Sequence, residues 1–261
     1  STLTWSSTDA TSCVASGAWS GSKAVSGSES SGALTSSRTF ALACTGTGGT
    51  ASATVTVGTP TYTTNFGLTE NPISEGGVWR RLSGNVFTDV RTANGIAFGT
   101  NGARDDYDDS YALLSGFGPD QTAEAVVFRS TSLVSGPITH EVELLLRFSD
   151  NATTARGYEC LFNYAGNLEI VRWNGPIGDF TPLSLTVNGQ GSLGRDLMTG
   201  DVIKATITGS VIRSYINNVL MVEAIDSTYA SGQPGISFFT RPLGVNDNPN
   251  VGLTSYTVSS N

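Results

Sequence analysis

Residues 140–147 read "HEVELLLR", and Glu141 and Glu143 within it are the side chains best placed to do chemistry. Strand alternation turns Val142, Leu144 and Leu146 to one side and Glu141, Glu143 and Arg147 to the other. Carboxylates two residues apart on a strand sit about 6.5–7 Å apart at Cα, so their carboxyl groups can reach the separations at which one acts as acid and the other as base or nucleophile on a glycosidic bond. The alternative is a structural pair neutralised by Arg147 and a neighbouring cation.

A second candidate surface lies in "GDVIKATITGSVIRSYINNVLMVEAID", residues 200–226. Gly209-Ser210 and Asn217-Asn218 read as two-residue hairpin turns, because glycine and asparagine tolerate positive φ. One face then collects Ile203, Ala205, Ile207, Ile212, Ile216, Val219, Met221 and Ile225 as core. The other presents Lys204 across from Tyr215 and Thr206 across from Arg213. Such mixed surfaces suit sugars, whose C–H faces stack on a ring while their hydroxyls need fixed donors and acceptors. An ordinary solvated sheet face is the competing reading. In "YECLFNYAGNLEIVRW", a four-residue loop at 164–167 places Glu159 opposite Arg172 and Tyr158 opposite Trp173. Trp173, at a strand end, is read either as a stacking platform at the rim of the same groove or as core.

The densest acidic run is "RDDYDDSY", with Asp105, Asp106, Asp108 and Asp109. Hard oxygen donors packed so closely need solvent or a cation, so structural Ca2+ is the metal expected, with a solvated acidic turn as the alternative. Asp247 in "GVNDNPNVG" is a weaker candidate. His140 is the single histidine, which excludes zinc sites built from several imidazoles, and alternation places it with the inward set. No organic cofactor is expected, since no glycine-rich stretch opens a helix. The three cysteines read as one disulfide and one buried thiol: Cys13 and Cys44 share a region and Cys160 stands alone. Two unlinked thiols remain the alternative for the pair.

The elements that must position these groups are strands. Ser, Thr and Gly dominate the 261 residues and no helical periodicity occurs, which favours many short strands joined by turns. A net charge of −8 disfavours phosphate backbones and anionic lipid as partners, so nucleic acid is not expected. No apolar run approaches the roughly 18–20 residues of a membrane span. The chain begins at Ser1 without Met, in keeping with removal of a leader or of further upstream sequence.

Composition divides the chain into residues 1–57, nearly free of aromatics, a Pro- and Thr-rich linker at 58–65, and residues 66–261, which hold most of the large side chains. "LTWSSTDATSCVASGAWSGSKAVSG" followed by "TFALACTGTGGTASATVTV" resembles the small bacterial Ig-like modules of secreted proteins. The resemblance implies that Cys13 and Cys44 are bridged with Trp5 packed nearby, and that a further strand precedes "LTW". "NPISEGGVW", "EIVRWNGPIGDF" and "GDVIKATITGSVIRSYINN" running into "DSTYASGQPGISFF" resemble the concanavalin A-like (laminin G-like) jelly rolls of secreted bacterial proteins. A likeness to laminarinase-type glycosidases, whose strand carries Glu-x-Asp-x-x-Glu, fails at Glu143 and at Leu146.

The expectation is therefore an all-β protein, an Ig-like β-sandwich followed by a concanavalin A-like antiparallel jelly roll, secreted or at the cell surface. The function expected is non-catalytic binding of a polysaccharide or cell-surface glycan by Lys204, Arg213, Tyr215, Arg147 and Trp173 on one concave face. The alternatives are a glycoside hydrolase or lyase using Glu141 and Glu143, and a structural or adhesive protein that self-associates.

Overall fold

The computed structural model describes residues 1–260 except 33, 35–36, 83–86, 101–108, 132–139, 177, 187–191 and 241–247. The chain forms two compact units, Ser1–Pro60 and Thr61–Ser260. Among the described residues it is all strand and turn, apart from one 3₁₀ turn at Asn248–Asn250, and no helix is long and apolar enough to cross a membrane.

In the first unit, β1 (Thr2–Ser6) pairs with β4 (Ser26–Ser30). The strands β2 (Ala10–Gly17), β3 (Gly21–Lys23), β5 (Arg38–Gly46) and β6 (Gly49–Val57) form a second sheet in the order β3-β2-β5-β6. Its small core is Leu3, Cys13, Ala15 and Phe40, capped by Trp19 edge-on to Trp5 at 5.3 Å and to Phe40 at 6.0 Å. Cys13 and Cys44 are disulfide-bonded. This is the pairing that the Ig-like resemblance implies; the two cysteines face each other on β2 and β5, so the bridge joins neighbours within one sheet.

The second unit begins inside the expected linker. Thr61–Thr64 forms β7, paired with β21 (Val251–Ser260), because β-branched threonine suits an edge strand even beside Pro60. The remaining strands are β8 (Thr88–Ala93), β9 (Ile96–Gly99), β10 (Ser110–Leu113), β11 (Gln121–Arg129), β12 (His140–Asp150), β13 (Ala155–Asn163), β14 (Leu168–Gly175), β15 (Phe180–Pro182), β16 (Leu185–Thr186), β17 (Val202–Thr208), β18 (Val211–Ile216), β19 (Val219–Ile225) and β20 (Gln233–Thr240). One continuous ladder runs β15-β14-β13-β12-β20-β10-β8-β9-β21-β11-β17-β18-β19-β16. It folds over at β8, which pairs parallel to β10 and antiparallel to β9. The two halves pack face to face as a jelly roll, and the ladder's ends, β15 and β16, are separated only by Leu183 and Ser184.

A single core fills the space between the halves. Val142, Leu144 and Leu146 of one half and Ile203, Ala205 and Ile207 of the other are all fully buried in it. Strand alternation then fixes what faces outward: Glu141 and Glu143 on one sheet, Lys204 and Thr206 on the other. The expected register of β17 and β18 holds, with Lys204 opposite Tyr215 and Thr206 opposite Arg213. Val219 and Ile225, expected in the core, are instead exposed. A bulge between Ser214 and Tyr215 offsets β19, and the adjacent residues Met221 and Val222 are both buried.

Candidate functional site

The outer face of the β15-to-β10 half carries a cleft of about 260 Å³. Its floor is buried Asp109, Glu143 and Glu159, its apolar wall is buried Val171 and Trp173, and its rim is half-buried Glu141, Leu161, Glu169, Phe180 and Phe239. Beneath the apolar end lies a second hydrophobic cluster of Phe87, Tyr111, Leu145, Phe148 and Trp173, distinct from the core between the sheets.

Two local features of the chain bring these groups together. The first is the hairpin between β13 and β14. Asn163 N–H donates to the Asn167 carbonyl, leaving a three-residue loop, Tyr164-Ala165-Gly166, closed by Gly166 at φ 85° and by Ala165 N–H on the Asn163 side chain. The expected four-residue loop is therefore one residue too long. In the observed register Glu159 faces Val171, Tyr158 faces Arg172, and Gly157 faces Trp173. Glu159 is thus separated from Arg172, whose guanidinium pairs with Asp226 at 2.5 Å, and joins the outward carboxylates.

The second is a bulge in β12. Arg147 sits at φ 46°, and the register shifts on both sides of the strand here. Leu145 and Phe148 consequently share the cleft side, while Arg147 swings away. Its guanidinium donates to the carbonyls of Pro119 and Tyr229 and pairs with Asp120 at 3.1 Å. Arg147 therefore does not neutralise Glu141 and Glu143, contrary to the alternation reading. Gly157 makes the bulge possible: a Cβ there would lie 2.6 Å from the Phe148 Cα, and its φ of 149° favours glycine.

The carboxylates gather in a ladder across three strands. Glu143 on β12 faces Leu161, Leu145 faces Glu159, and Leu161 in turn faces Glu169. Asp109 enters just before β10, its carbonyl accepting from Thr88 N–H. One carboxylate oxygen each from Asp109, Glu143 and Glu159 can be chosen so that all three lie within 4.8 Å of one another. Burial pushes the Glu143 carboxyl well above the usual range, reinforced by the charges of Glu159, Asp109 and Glu141, with a hydrogen bond to Ser237 opposing. Burial also pushes Glu159 up to about 8. A hydrogen bond from Trp173 opposes that rise, and the charges of Glu141 and Glu169 add to it. Glu143 Oε2 is buried without a hydrogen-bond partner among the described residues. Three carboxylates this close are all ionised at neutral pH only where a cation lies beside them; otherwise at least one holds a proton.

The other expected site residues lie elsewhere. Lys204, Arg213 and Tyr215 occupy the outer face of the opposite sheet, because each half of the sandwich has its own outward side and the common core separates them. There Lys204 Nζ lies 5.0 Å above the Tyr215 ring, and Arg213 Nε donates to Glu223 at 2.6 Å, so these groups serve one another. The single groove expected to join them with Glu141, Glu143 and Trp173 does not exist. Trp173 is a packed wall residue and not an open platform, since Phe87 and Phe180 contact its ring at 5.4 and 5.7 Å. Asp105, Asp106, Asp108 and Asp247 lie outside the described residues; Asp109 alone of the acidic run is placed, at the cleft floor. His140 is buried, as alternation predicts. Cys160 is buried with its thiol pushed up to about 12 by desolvation, so it behaves as a small hydrophobe.

Neither a protein-family model nor a curated protein matches the chain. Solved structures do. One, described by the words "Prominent members of the human gut microbiota express endo-acting O-glycanases to initiate mucin breakdown", aligns at TM-score 0.50 and 12% identity over 77% of this chain and 98% of its own. The carbohydrate binding module CBM66 from Bacillus subtilis aligns at 0.47 and 17% over 72% and 96%. A prokaryotic β-1,3-1,4-glucanase (lichenase) from a mouse hindgut metagenome aligns at 0.47 and 9% over 77% and 98%. At 12% identity the likeness to the first of these is one of fold alone.

Proposed function

We propose that the Thr61–Ser260 unit binds a glycan in the cleft above Glu143 and Glu159, without cleaving it. The observation carrying this reading is the pairing, in one cleft of about 260 Å³, of half-buried rings at the rim, Phe180 and Phe239, with acceptor carboxylates at rim and floor. A pyranose needs both, an apolar surface for its C–H face and fixed acceptors for its hydroxyls. The size, a little under the roughly 300–1,000 Å³ of small-molecule sites, suits one sugar ring engaged along a chain. The cleft's negative charge selects neutral or amino sugars over uronic or sulfated ones. The structure aligned at TM-score 0.50 comes from work on O-glycanases of mucin, which supports the fold's use on glycans in that protein. The disulfide fits an oxidising, extracellular setting.

The test is a glycan array read alongside a reducing-sugar assay. Phe180→Ala and Glu141→Gln should each abolish the signal and Tyr215→Ala should leave it intact; loss with Tyr215→Ala alone would move the site to the other sheet.

A second reading, glycoside hydrolysis, is favoured by one observation. Glu159 holds its proton up to about pH 8, and carboxylates of Glu143 and Asp109 lie within 4.8 Å. That resembles the acid beside a nucleophile, about 5–5.5 Å apart, of retaining glycosidases. It requires sugar release that Glu159→Gln removes.

A further inference from the structure

The cleft floor poses an electrostatic problem that hydrogen bonding among the described residues does not solve. Asp109, Glu143 and Glu159 are 93%, 99% and 95% buried, and Arg147, which shares β12 with Glu143, is directed to Asp120. Burying an uncompensated carboxylate is costly, and Glu143 and Glu159 raise that cost for one another. Glu143 adds a separate observation: the residue lines the cleft, and its Oε2 is buried and accepts no hydrogen bond among the described residues.

We infer that Asp109, Glu143 and Glu159 form a calcium site at the cleft floor, with the remaining coordination positions open to the glycan. Three points of geometry and chemistry carry the assignment. Two oxygens bound to one Ca2+ at about 2.3–2.6 Å lie at most about 4.6–5.2 Å apart, and the three carboxylate oxygens here lie within 4.8 Å of one another. The donors are all hard oxygens, which disfavours zinc and copper. Three protein ligands also leave a cation that takes six to eight oxygens unsaturated toward the open side of the cleft, where water or vicinal hydroxyls of a sugar complete the shell.

The supporting shell is in place. Trp173 Nε1 donates to Glu159 Oε2 at 2.6 Å, and Ser237, facing Glu143 on β20, hydrogen-bonds its carboxylate. Such contacts orient ligands without neutralising them. The role of the ion in sugar binding rests on the glycan reading above; the ion site itself does not.

The experiment is calorimetric titration of CaCl2, with MgCl2 in parallel, into the full chain stripped by chelator at pH 7.5. One calcium per chain is expected, with a melting temperature that rises with calcium. Glu143→Gln and Glu159→Gln should each weaken binding at least ~10-fold, while Glu223→Gln, on the opposite sheet, should not. The two Gln variants match glutamate in shape and should stay folded, which circular dichroism checks. Absence of calcium binding at millimolar concentration overturns the inference, and so does unchanged affinity in both Gln variants. Glycan binding is then measured on the same samples with and without EDTA. Binding lost in EDTA supports the ion's contact with sugar, and binding that persists refutes it. Calcium bound as predicted with no glycan captured in any arm overturns the glycan reading and leaves the ion site standing.

Discussion

The indole Nε1 of Trp173 donates a 2.6 Å hydrogen bond to Glu159 Oε2, joining the apolar wall of the cleft to its acidic floor. Trp173→Phe keeps most of the packing and deletes the donor. A buried carboxyl oxygen left unpaired should destabilise the C-terminal unit by about 1–3 kcal/mol, read by urea denaturation. Because this bond lowers the Glu159 pKa, its loss should move that carboxyl further up, read by carbon NMR of the side chain.

Glu159 makes the unit weaker in mild alkali. Its folded pKa is raised to about 8, by burial first and then by Glu141 and Glu169, and Glu143 and Asp109 also face it. Below about pH 4 folded and unfolded chains both hold the proton and its burial carries no penalty. Between about pH 4 and pH 8 the unfolded chain releases a proton that the folded chain keeps, so stability falls as pH rises. In chelator, the melting temperature should drop across that window, and Glu159→Gln should flatten the drop.

Asp201 gives the opposite dependence in acid. Arg195 binds it through two 2.7 Å hydrogen bonds, and with donors from Asn217 and Met198 holds its pKa at about 2. Its contribution is complete above about pH 4 and lost as pH falls toward 2. Asp201→Asn should lower stability at pH 6 and narrow the gap to wild type at pH 2, measured by denaturation at the two pH values.

Gly157 lies opposite Trp173 and beneath the β12 bulge. Gly157→Ala brings a methyl group to within 2.6 Å of the Phe148 Cα at a φ of 149°. Stability should fall by about 1–3 kcal/mol, with Trp173 fluorescence shifted as the cleft wall moves. Unchanged fluorescence and stability would show that the bulge tolerates a side chain.

The disulfide should act on one unit alone. Cys13 and Cys44 are 31 residues apart, so by chain entropy the bridge stabilises its unit by about 3–4 kcal/mol. Reduction should lower or abolish the first unit's unfolding transition and leave the second in place, since Cys160 is unbridged. A calorimetric trace with and without reductant separates the two.

Much of the fold was readable from period-two alternation. It placed Val142 and Leu144 inward, Glu141 and Glu143 outward, and Lys204 opposite Tyr215. The errors came where alternation breaks or is blind. Arg147 left its expected face because a bulge inserts a residue, and no local signal in "ELLLRF" announces one. A four-residue loop at "YAGN" pairs Glu159 with Arg172 and is one residue longer than the loop observed; Gly166, suited to the left-handed position of a three-residue loop, is the clue to the shorter turn. The split between Tyr215 and Glu143 is different in kind. Alternation says that a side chain faces out, but which sheet it faces out from depends on long-range pairing such as β12 with β20, which no short stretch encodes.

The closure of the large ladder onto Phe180–Thr186 bears on solubility. Its terminal strands are three and two residues long and its side edge, β7, is four, all too short to template another chain, so intermolecular strand addition and fibril growth find little purchase on these edges of the C-terminal unit. The nine-residue β6, which ends its own sheet and is exposed along nearly its whole length, is where such recruitment would start.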